Sequence, residues 1–309
     1  MRIPVIIDTD PGLDDSIALL VAFASEELDI KAITTVAGNQ TLEKTTENAA
    51  KIIELAKFNT KLAAGADKPI KRDQVVAAEV HGESGMGSVK LPKSKVSISS
   101  DKAYKVIYEE AVKLDGELEI IALGPLTNIA NAIMLYPDIK KLIKRIVIMG
   151  GGHAFGNVTP AAEFNIYADA EAAKLVFESG IPMVMVGLDA THQAFIVEEQ
   201  IDSFFDKETP KVKIIKQLLQ DIMDCGKEMD LKVGHMHDLL AVIATFEPKV
   251  ITGDYYHVDI ETKGSITYGK TAVDLYNRTN KDKNVYVAFH ADRELFLDIM
   301  KKRLMSYQN

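Results

Sequence analysis

The chain has 309 residues, of which 47% are hydrophobic and 26% are charged, and its formal net charge is -9 at pH 7. This composition is typical of a folded globular protein and argues against a disordered or membrane-embedded chain. The acidic balance also argues against non-specific nucleic-acid binding, which requires a basic face. The single cysteine, Cys225, allows no intramolecular disulfide, and the first apolar run ends at Asp8, too early for a signal peptide. We therefore expect a cytoplasmic protein that binds neither nucleic acid nor a membrane.

Short apolar runs typical of strands alternate with helical patterns along most of the chain. Strands are predicted at Val5–Ile7, Ile30–Val36, Leu118–Leu123, Ile146–Met149 and Met183–Val186, and helices at Asp14–Phe23, Thr45–Lys57, Leu126–Leu135, Ala168–Glu178 and Lys211–Lys227. This alternation predicts an α/β fold with an open, mostly parallel but mixed sheet and helices on both faces. No linker or repeat divides the sequence, so residues 1–309 are predicted to form a single domain.

The last third of the chain contains two further strand-like runs, Tyr255–Ile260 and Thr271–Tyr276. Their alternating pattern is typical of antiparallel edge strands, but it is also compatible with a small lid-like extension. The sequence leaves these two interpretations open.

Polar and glycine residues collect directly after four of the predicted strands. They form the segments Asp8–Asp15, Gly38-Asn39, Gly124–Asn128 and Gly150–His153, the last followed by Asn157, Glu163 and Asn165. In an open α/β sheet, ligands bind beyond the carboxyl ends of the strands. We therefore expect these segments to meet at one site.

The first of these segments contains four carboxylates, Asp8, Asp10, Asp14 and Asp15, within eight residues. Such crowding is unfavourable unless a cation or protons compensate the charge. Hard oxygen ligands suit Ca²⁺ or Mg²⁺ better than Zn²⁺. A simpler interpretation is that Asp14 and Asp15 stabilise a helix N-terminus, but it leaves Asp8 and Asp10 unexplained. The spacing is not that of an EF-hand.

A second candidate is the pair His237-Asp238, which precedes the apolar helical run Leu239–Ala244. Asp238 could simply cap that helix. Beside an acidic metal site, however, Asp238 could be a further ligand and His237 a general acid. His81 lies in a glycine-rich loop, where a surface position is the simpler interpretation. The side chains of Asn39, Asn157, Glu163 and Asn165 suit vicinal hydroxyls, although each alone is ordinarily a turn residue.

The segment Asp8–Asp15, with the sequence DTDPGLDD, closely resembles the N-terminal signature of the inosine-uridine preferring nucleoside hydrolase family. Further segments follow in that family's order and approximate spacing: Ala37–Asn39, His81-Gly82, Leu123–Asn128, Met149–Gly151, Ala162–Asn165 and His237-Asp238. This resemblance implies a Rossmann-like open sheet. It also implies hydrolysis of the N-glycosidic bond of ribonucleosides with one bound Ca²⁺.

The resemblance also implies a role for each matching residue. Asp10, Asp15, Asp238 and the backbone carbonyl of Leu123 match the calcium ligands. Asp10 matches the general base, and His237 matches the acid that protonates the leaving base. The residues that match ribose-binding positions are Asp14, Asn39, Asn157, Glu163 and Asn165, and His81 matches a residue of the nucleobase pocket.

Two departures from the family pattern bear on the substrate. The chain has no tryptophan, so the tryptophan stack of the purine-specific branch is absent. The segment Ile222–Asp230 has no tyrosine, although some family members place tyrosines there over the base. The absence of tryptophan favours the non-specific or pyrimidine-preferring branches, with uridine, cytidine and inosine as candidate substrates. The absence of tyrosine leaves no tyrosine in Ile222–Asp230 for base contact or acid catalysis. The resemblance also implies a homodimer or a homotetramer.

Three alternatives remain open at this point. A metal-dependent phosphatase would use Asp8 and Asp10, but Gly12 occupies a position where that class usually has Thr or Val. A non-catalytic nucleoside-binding protein would keep the fold without turnover, although every expected catalytic position is filled. A hydrolase of another N-ribosyl compound would share the chemistry but not the base.

Overall fold

The structure is a computed structural model that describes residues 2–77, 80, 82–228 and 230–309. The strands in these ranges are β1 (Ile3–Thr9), β2 (Leu28–Thr35), β3 (Lys61–Ala64), β4 (Ile98–Ser99), β5 (Leu118–Ala122), β6 (Ile143–Met149), β7 (Met183–Val186), β8 (Phe195–Ile196), β9 (Gly234–His235), β10 (Ile251–Tyr256), β11 (Val258–Ile260), β12 (Thr271–Val273) and β13 (Val285–Ala291). Within these ranges, nine strands form one sheet in the order β10-β13-β7-β6-β5-β1-β2-β3-β4. All neighbours in it are parallel except β10 and β13. The predicted fold class, α/β with a mostly parallel mixed sheet, is confirmed.

The α-helices cover both faces of this sheet. In the described residues they are α1 (Leu13–Phe23), α2 (Leu42–Ala56), α3 (Ala103–Leu114), α4 (Thr127–Leu135), α5 (Phe164–Ala168), α6 (Ala170–Phe177), α7 (Leu188–Thr191), α8 (Glu198–Ser203), α9 (Pro210–Glu228), α10 (His237–Phe246) and α11 (Arg293–Leu304). None of the helices in this part of the chain is long and apolar enough to cross a membrane.

The strand-like runs of the last third of the chain belong to two different sheets. The run Tyr255–Ile260 is divided at His257 between β10 and β11. Strand β10 is an antiparallel edge of the large sheet, whereas β11 pairs with β12 in a separate two-stranded sheet. The edge-strand interpretation therefore holds for β10, whereas β11 and β12 form a small antiparallel sheet outside the large one.

The central strand β1 is buried on both faces because its side chains alternate between two apolar clusters. Val5 and Ile7 pack with residues of α1, α2 and α10 on one face. Ile6 packs with residues of α4 and α6 on the other. All three side chains are fully buried. A parallel strand covered by helices on both sides is expected to be continuously hydrophobic, as this one is.

The position of a site follows from the strand order. After β1 the chain moves outward through β2, β3 and β4, and then returns to β5 on the other side of β1. The carboxyl ends of β1 and β5 therefore flank a topological switch point, where open α/β sheets bind their ligands.

Candidate active site

A cavity of about 520 Å³ lies beyond the strand ends at this switch point. Eight of the predicted site residues line it: Asp14, Asn39, Leu123, Asn157, Glu163, Asn165, His237 and Asp238. Asp10 and Asp15 lie beneath this surface, where both are fully buried and both accept hydrogen bonds from Asn39. His81 lies outside the described residues. The structure thus brings together every other predicted site residue.

Three carboxylates converge at the floor of the cavity. Oxygens of Asp14, Asp15 and Asp238 all lie within 4.8 Å of one another. Asp14 and Asp15 belong to the first turn of α1, and Asp238 belongs to the first turn of α10. Two helix N-termini therefore face the cluster, and their dipoles favour negative charge.

Asp15 is held rigidly within this cluster. One carboxylate oxygen accepts a hydrogen bond of 2.5 Å from the hydroxyl of Thr9, and the other accepts one of 3.0 Å from the backbone N–H of Gly12. The side-chain amide of Asn39 donates to the same second oxygen at 3.0 Å. These bonds orient the carboxylate before any ligand binds.

Asp10 is enclosed by two glycines. A Cβ on Gly38 would lie 2.0 Å from Asp10 Oδ2, and a Cβ on Gly124 would lie 2.4 Å from Asp10 Oδ1. Oδ2 accepts a hydrogen bond of 2.6 Å from the backbone N–H of Asn39. Oδ1 is buried and has no hydrogen-bond partner among the described residues. Oδ1 is thus fixed in place and removed from water, but it accepts no hydrogen bond from the described residues.

The electrostatics of the cluster favour a bound cation. Burial raises the pKa of Asp10 and of Asp238 well above the usual range, and the neighbouring carboxylates raise both further. Burial also raises the pKa of Asp14 to about 6. A divalent cation would lower these pKa values again, because it pairs with the ionised form of each carboxyl group. The unused oxygen of Asp10 and the oxygen-only donor set fit a hard cation such as Ca²⁺.

Asp8 lies one layer deeper and does not line the cavity. Its Oδ1 accepts hydrogen bonds from the Thr34 hydroxyl at 2.5 Å and from the Asn128 amide at 2.8 Å. Burial raises its pKa to about 7. These contacts join the ends of β1, β2 and α4, so Asp8 supports the site and does not belong to its surface.

Glu163 and its neighbours form the opposite side of the floor. Glu163 caps α5, and its carboxylate accepts backbone hydrogen bonds from Gly151 at 2.9 Å, Asn165 at 2.8 Å and Ile166 at 3.2 Å. Burial raises its pKa to about 7. The sequence predicted a ribose contact but not this structural role. The three backbone hydrogen bonds already use much of the hydrogen-bonding capacity of the carboxylate.

Asn165 and Asn157 are held by different partners. The Asn165 side-chain amide donates to the carbonyls of Leu123 at 2.7 Å and of Met149 at 3.1 Å, joining the ends of β5 and β6. The Asn157 side-chain oxygen accepts from the backbone N–H of Phe164 at 2.9 Å. The bond from Asn165 therefore fixes the carbonyl of Leu123, a residue that lines the cavity.

Three imidazoles form one wall of the cavity, and the sequence assigned a role to only one of them. The ring of His192 stacks on that of His235 with centroids 4.5 Å apart. His237 lies against both, at 5.6 Å from His192 and 5.5 Å from His235. Burial lowers the pKa of His192 and lowers that of His235 to about 4. Thr191-His192 follows strand β7, so the rule that located the other strand-end residues would also have found this pair.

The remaining wall is apolar. It comprises Val75, Val76, Ala77 and Val80 from the segment after β3, with Ile222, Cys225 and Leu231 around the end of α9. The Cys225 thiol donates to the carbonyl of Val80 at 2.9 Å, and burial raises its pKa to about 11. This thiol is therefore protonated at neutral pH and acts as a small apolar group with a weak donor.

The fold and the cavity define an α/β enzyme with a carboxylate cluster at its topological switch point. Comparisons with known proteins identify the family. Residues 5–298 match the model of the family described as inosine-uridine preferring nucleoside hydrolase. The pyrimidine-specific ribonucleoside hydrolase RihA of Salmonella enteritidis PT4 is 42% identical over 99% of this chain and 100% of that protein.

Solved structures give the same result. A plant nucleoside hydrolase, PpNRh1, superposes with a TM-score of 0.93 at 31% identity, covering 99% of this chain and 100% of that chain. A purine-preferring ribonucleoside hydrolase from Gardnerella vaginalis superposes with a TM-score of 0.93 at 30% identity, covering 99% of both chains. The chain therefore belongs to the inosine-uridine preferring nucleoside hydrolase family. It is an N-ribohydrolase that cleaves the N-glycosidic bond of ribonucleosides, and the phosphatase and binding-only alternatives are not supported.

Proposed function

We propose that this enzyme hydrolyses pyrimidine ribonucleosides, uridine and cytidine, to ribose and free base with the help of one Ca²⁺. The observation that carries the proposal is the cluster of three acidic side chains, with oxygens within 4.8 Å of one another, beside a cavity of about 520 Å³. A cavity of this size suits a small ligand. The similarity to a pyrimidine-specific relative supports the choice of base.

Asp10, Asp15, Asp238 and the carbonyl of Leu123 would hold the calcium ion. Asp14 belongs to the same carboxylate group and would contact the ribose hydroxyls beside the metal. When bound, the ion supplies a water of lowered pKa and an anchor for hydroxyl oxygens. The unpartnered Oδ1 of Asp10 and the helix N-termini around Asp15 and Asp238 support this assignment.

The ribose is held by polar side chains that already have fixed orientations. Asp14, Asn39, Asn157, Glu163 and Asn165 line the cavity around the place where the sugar would lie. Cleavage of a glycosidic bond passes through an oxocarbenium-like state. Carboxylates and oriented amides beside the ring stabilise its positive charge because they need not reorganise as it develops.

Two side chains would move protons. Asp10 would take a proton from the attacking water. His237 would donate a proton to the departing base, which makes the base a better leaving group. The apolar wall would contact the base, and the absence of tryptophan from the sequence favours a site without an indole stack.

The proposal is tested by measuring ribose release from uridine, cytidine, inosine and adenosine, with Ca²⁺ and after exhaustive chelation. Phosphate is omitted, so that release reports hydrolysis alone. We expect release to depend on Ca²⁺ and to be fastest with uridine and cytidine. Turnover that survives chelation would contradict the calcium assignment. A higher kcat/KM for inosine than for uridine would contradict the pyrimidine preference, and activity confined to another N-ribosyl compound would contradict both substrates.

Three further expectations remain predictions. We propose a homodimer or homotetramer, a single domain over residues 1–309, and a cytoplasmic location. Light scattering coupled to size-exclusion chromatography tests the first, with a monomer as the contrary result. One cooperative unfolding transition is the expected result for the second, and fractionation of the producing cells tests the third.

A further inference from the structure

We propose that Thr191 is a positioning residue that fixes the ring orientation of His237 and thereby the nitrogen from which His237 releases its proton. This inference rests on the proposed function, in which His237 protonates the leaving base. It assigns a role to a residue that the sequence did not single out.

A short hydrogen bond carries the inference. The Thr191 hydroxyl lies 2.7 Å from His237 Nδ1. Thr191 is completely buried, whereas His237 lines the cavity and is only partly buried. The bond therefore joins the protein-facing edge of the imidazole to a hydroxyl that water does not reach.

The hydroxyl is held by a rigid frame. Thr191 ends α7, where its backbone N–H donates to the carbonyl of Gly187 at 3.0 Å. Its own carbonyl accepts from Ala194 at 3.0 Å, and the carbonyl of Ala194 accepts from Met236 at 2.9 Å. The next residues pair as the short strands β8 and β9. Backbone hydrogen bonds thus join the two segments that carry Thr191 and His237, and they fix the separation of the two groups.

The bond sets which nitrogen can act. In a neutral imidazole one nitrogen carries a proton and the other accepts, and the partner of one nitrogen decides the state of the other. To act as an acid the ring must first be the imidazolium, in which both nitrogens carry protons. Its Nδ1–H then donates to the Thr191 hydroxyl, so Nε2, at the other edge of the ring, is the nitrogen that releases a proton, and the neutral ring that remains keeps the proton on Nδ1. The flanking rings of His192 and His235 restrict rotation of the imidazole out of this plane.

With this assignment, every proton that moves during one turnover has a donor and an acceptor. The electron pair of the C1′–N bond leaves with the base, and the Nε2 proton of the His237 imidazolium moves to the base, which leaves His237 neutral. The hydroxyl of water bonds to C1′, and its proton moves to Asp10. Solvent later takes the proton from Asp10 and returns one to His237, so the net reaction is nucleoside plus water to ribose plus base.

The test compares two substrates that differ in their need for an acid. Uridine requires protonation of its base, whereas the phenolate of 4-nitrophenyl β-D-ribofuranoside leaves without it. In Thr191→Val the hydroxyl is replaced by a methyl group of similar size. We expect kcat for uridine to fall by about 10- to 100-fold, the size of the loss seen when the hydrogen-bonding partner of a metal-binding histidine is removed. We expect kcat for the nitrophenyl riboside to change little, KM to stay nearly constant, and Thr191→Ser to restore uridine hydrolysis.

Matched variants separate this role from general damage. Thr245→Val removes a buried hydroxyl that donates to the Ala241 carbonyl in its own helix, and it should leave the ratio of the two activities unchanged. Thr191→Ala provides a second hydroxyl-free variant if the valine variant does not fold. An equal loss on both substrates, or undiminished uridine hydrolysis, would overturn the inference.

One further variant distinguishes the inference from the proposed function. If His237→Gln impairs uridine hydrolysis selectively and Thr191→Val does not, only the role of Thr191 fails. If His237→Gln affects the two substrates equally, the acid role of His237 fails, and the inference fails with it.

Discussion

The carboxylate floor of the cavity and its apolar wall are built in different ways. Asp10 and Asp15 in the floor are fully buried; Asp10 follows the central strand β1 directly, and Asp15 lies in the first turn of α1. In the apolar wall, Val76, Val80 and Leu231 keep 40%, 42% and 37% of their surface exposed. The floor is enclosed by strand ends and helix N-termini, whereas the wall comes from connecting segments and the end of α9.

This difference separates two functions of one enzyme. The chemistry of bond cleavage requires oxygens and protons at fixed places, because a small displacement of a catalytic group costs much of the rate. Recognition of a base depends on the shape of an apolar surface. There, one methylene group changes the free-energy difference between two competing substrates by about 1–3 kcal/mol. We therefore expect substitutions in the floor to reduce turnover of every nucleoside, and substitutions in the wall to change their ranking.

The largest expected effect is that of Asp10→Asn. The amide preserves the size of the side chain but cannot accept the proton of the attacking water. We expect kcat for uridine to fall by about 10²- to 10⁴-fold, the range of a single acid or base group, and the same factor should apply to cytidine and inosine. Steady-state kinetics on the three nucleosides measures this. Asp254→Asn, on the exposed edge strand β10, is the control, and normal turnover by Asp10→Asn would remove Asp10 from the role of base.

A smaller effect is expected for Gly124→Ala, which tests how tightly the floor is enclosed. The added Cβ would lie 2.4 Å from Asp10 Oδ1, so the carboxylate or the backbone must shift. Overpacking of this kind lowers the free energy of unfolding by about 1–3 kcal/mol, and it should also weaken calcium binding.

Urea unfolding and calcium titration measure the two consequences of Gly124→Ala. Gly264→Ala is the control, because the nearest atom there is the side-chain hydroxyl of Thr267, which can turn away. If Gly124→Ala were as stable as the parent and bound calcium equally well, the floor would be less rigid than its contacts indicate.

The smallest effect is expected for Cys225→Ala in the apolar wall. The substitution enlarges the cavity near the end of α9 without touching a carboxylate. We expect kcat/KM for inosine to rise relative to uridine by about tenfold or less, within the range for one small group in an apolar pocket. Lys213→Ala, exposed on the same helix, should leave the ratio unchanged. A large and equal loss of kcat/KM for both nucleosides would indicate that Cys225 contributes to bond cleavage. That result would contradict the distinction between floor and wall.

The sequence predicted the floor better than the wall, for a physical reason. A hydrophobic strand followed by carboxylates and glycines is a local pattern, and topology brings such strand ends together. Which carboxylates converge is decided by side-chain geometry: the close group contains Asp14, Asp15 and Asp238, while Asp10 is positioned below by two glycines. The backbone bonds of Glu163 depend on the turn of the chain around Gly151, which no spacing in the sequence indicates.

The predictions were weakest where contacts join distant segments. Strand β13 lies between β7 and β10 and was not predicted, because its place depends on pairing with a strand about 100 residues away. The bond between Thr191 and His237 likewise spans 46 residues. The segments of the apolar wall carry no pattern of their own and become a surface only when α9 packs beside them.

The close approach of Gly38 and Gly124 to Asp10 also restricts how this sequence can diverge. A random change at either position adds atoms where the Asp10 carboxylate already lies, so we expect most such variants to be lost before selection for a new substrate could act on them. Val76 and Cys225 already carry side chains that line the apolar wall, so a substitution there exchanges one cavity-lining side chain for another. A library for altered substrate range should therefore hold positions 38 and 124 constant and diversify residues 75–77, 222, 225 and 231. We expect substitutions at these wall positions to leave the fold and the carboxylate cluster intact.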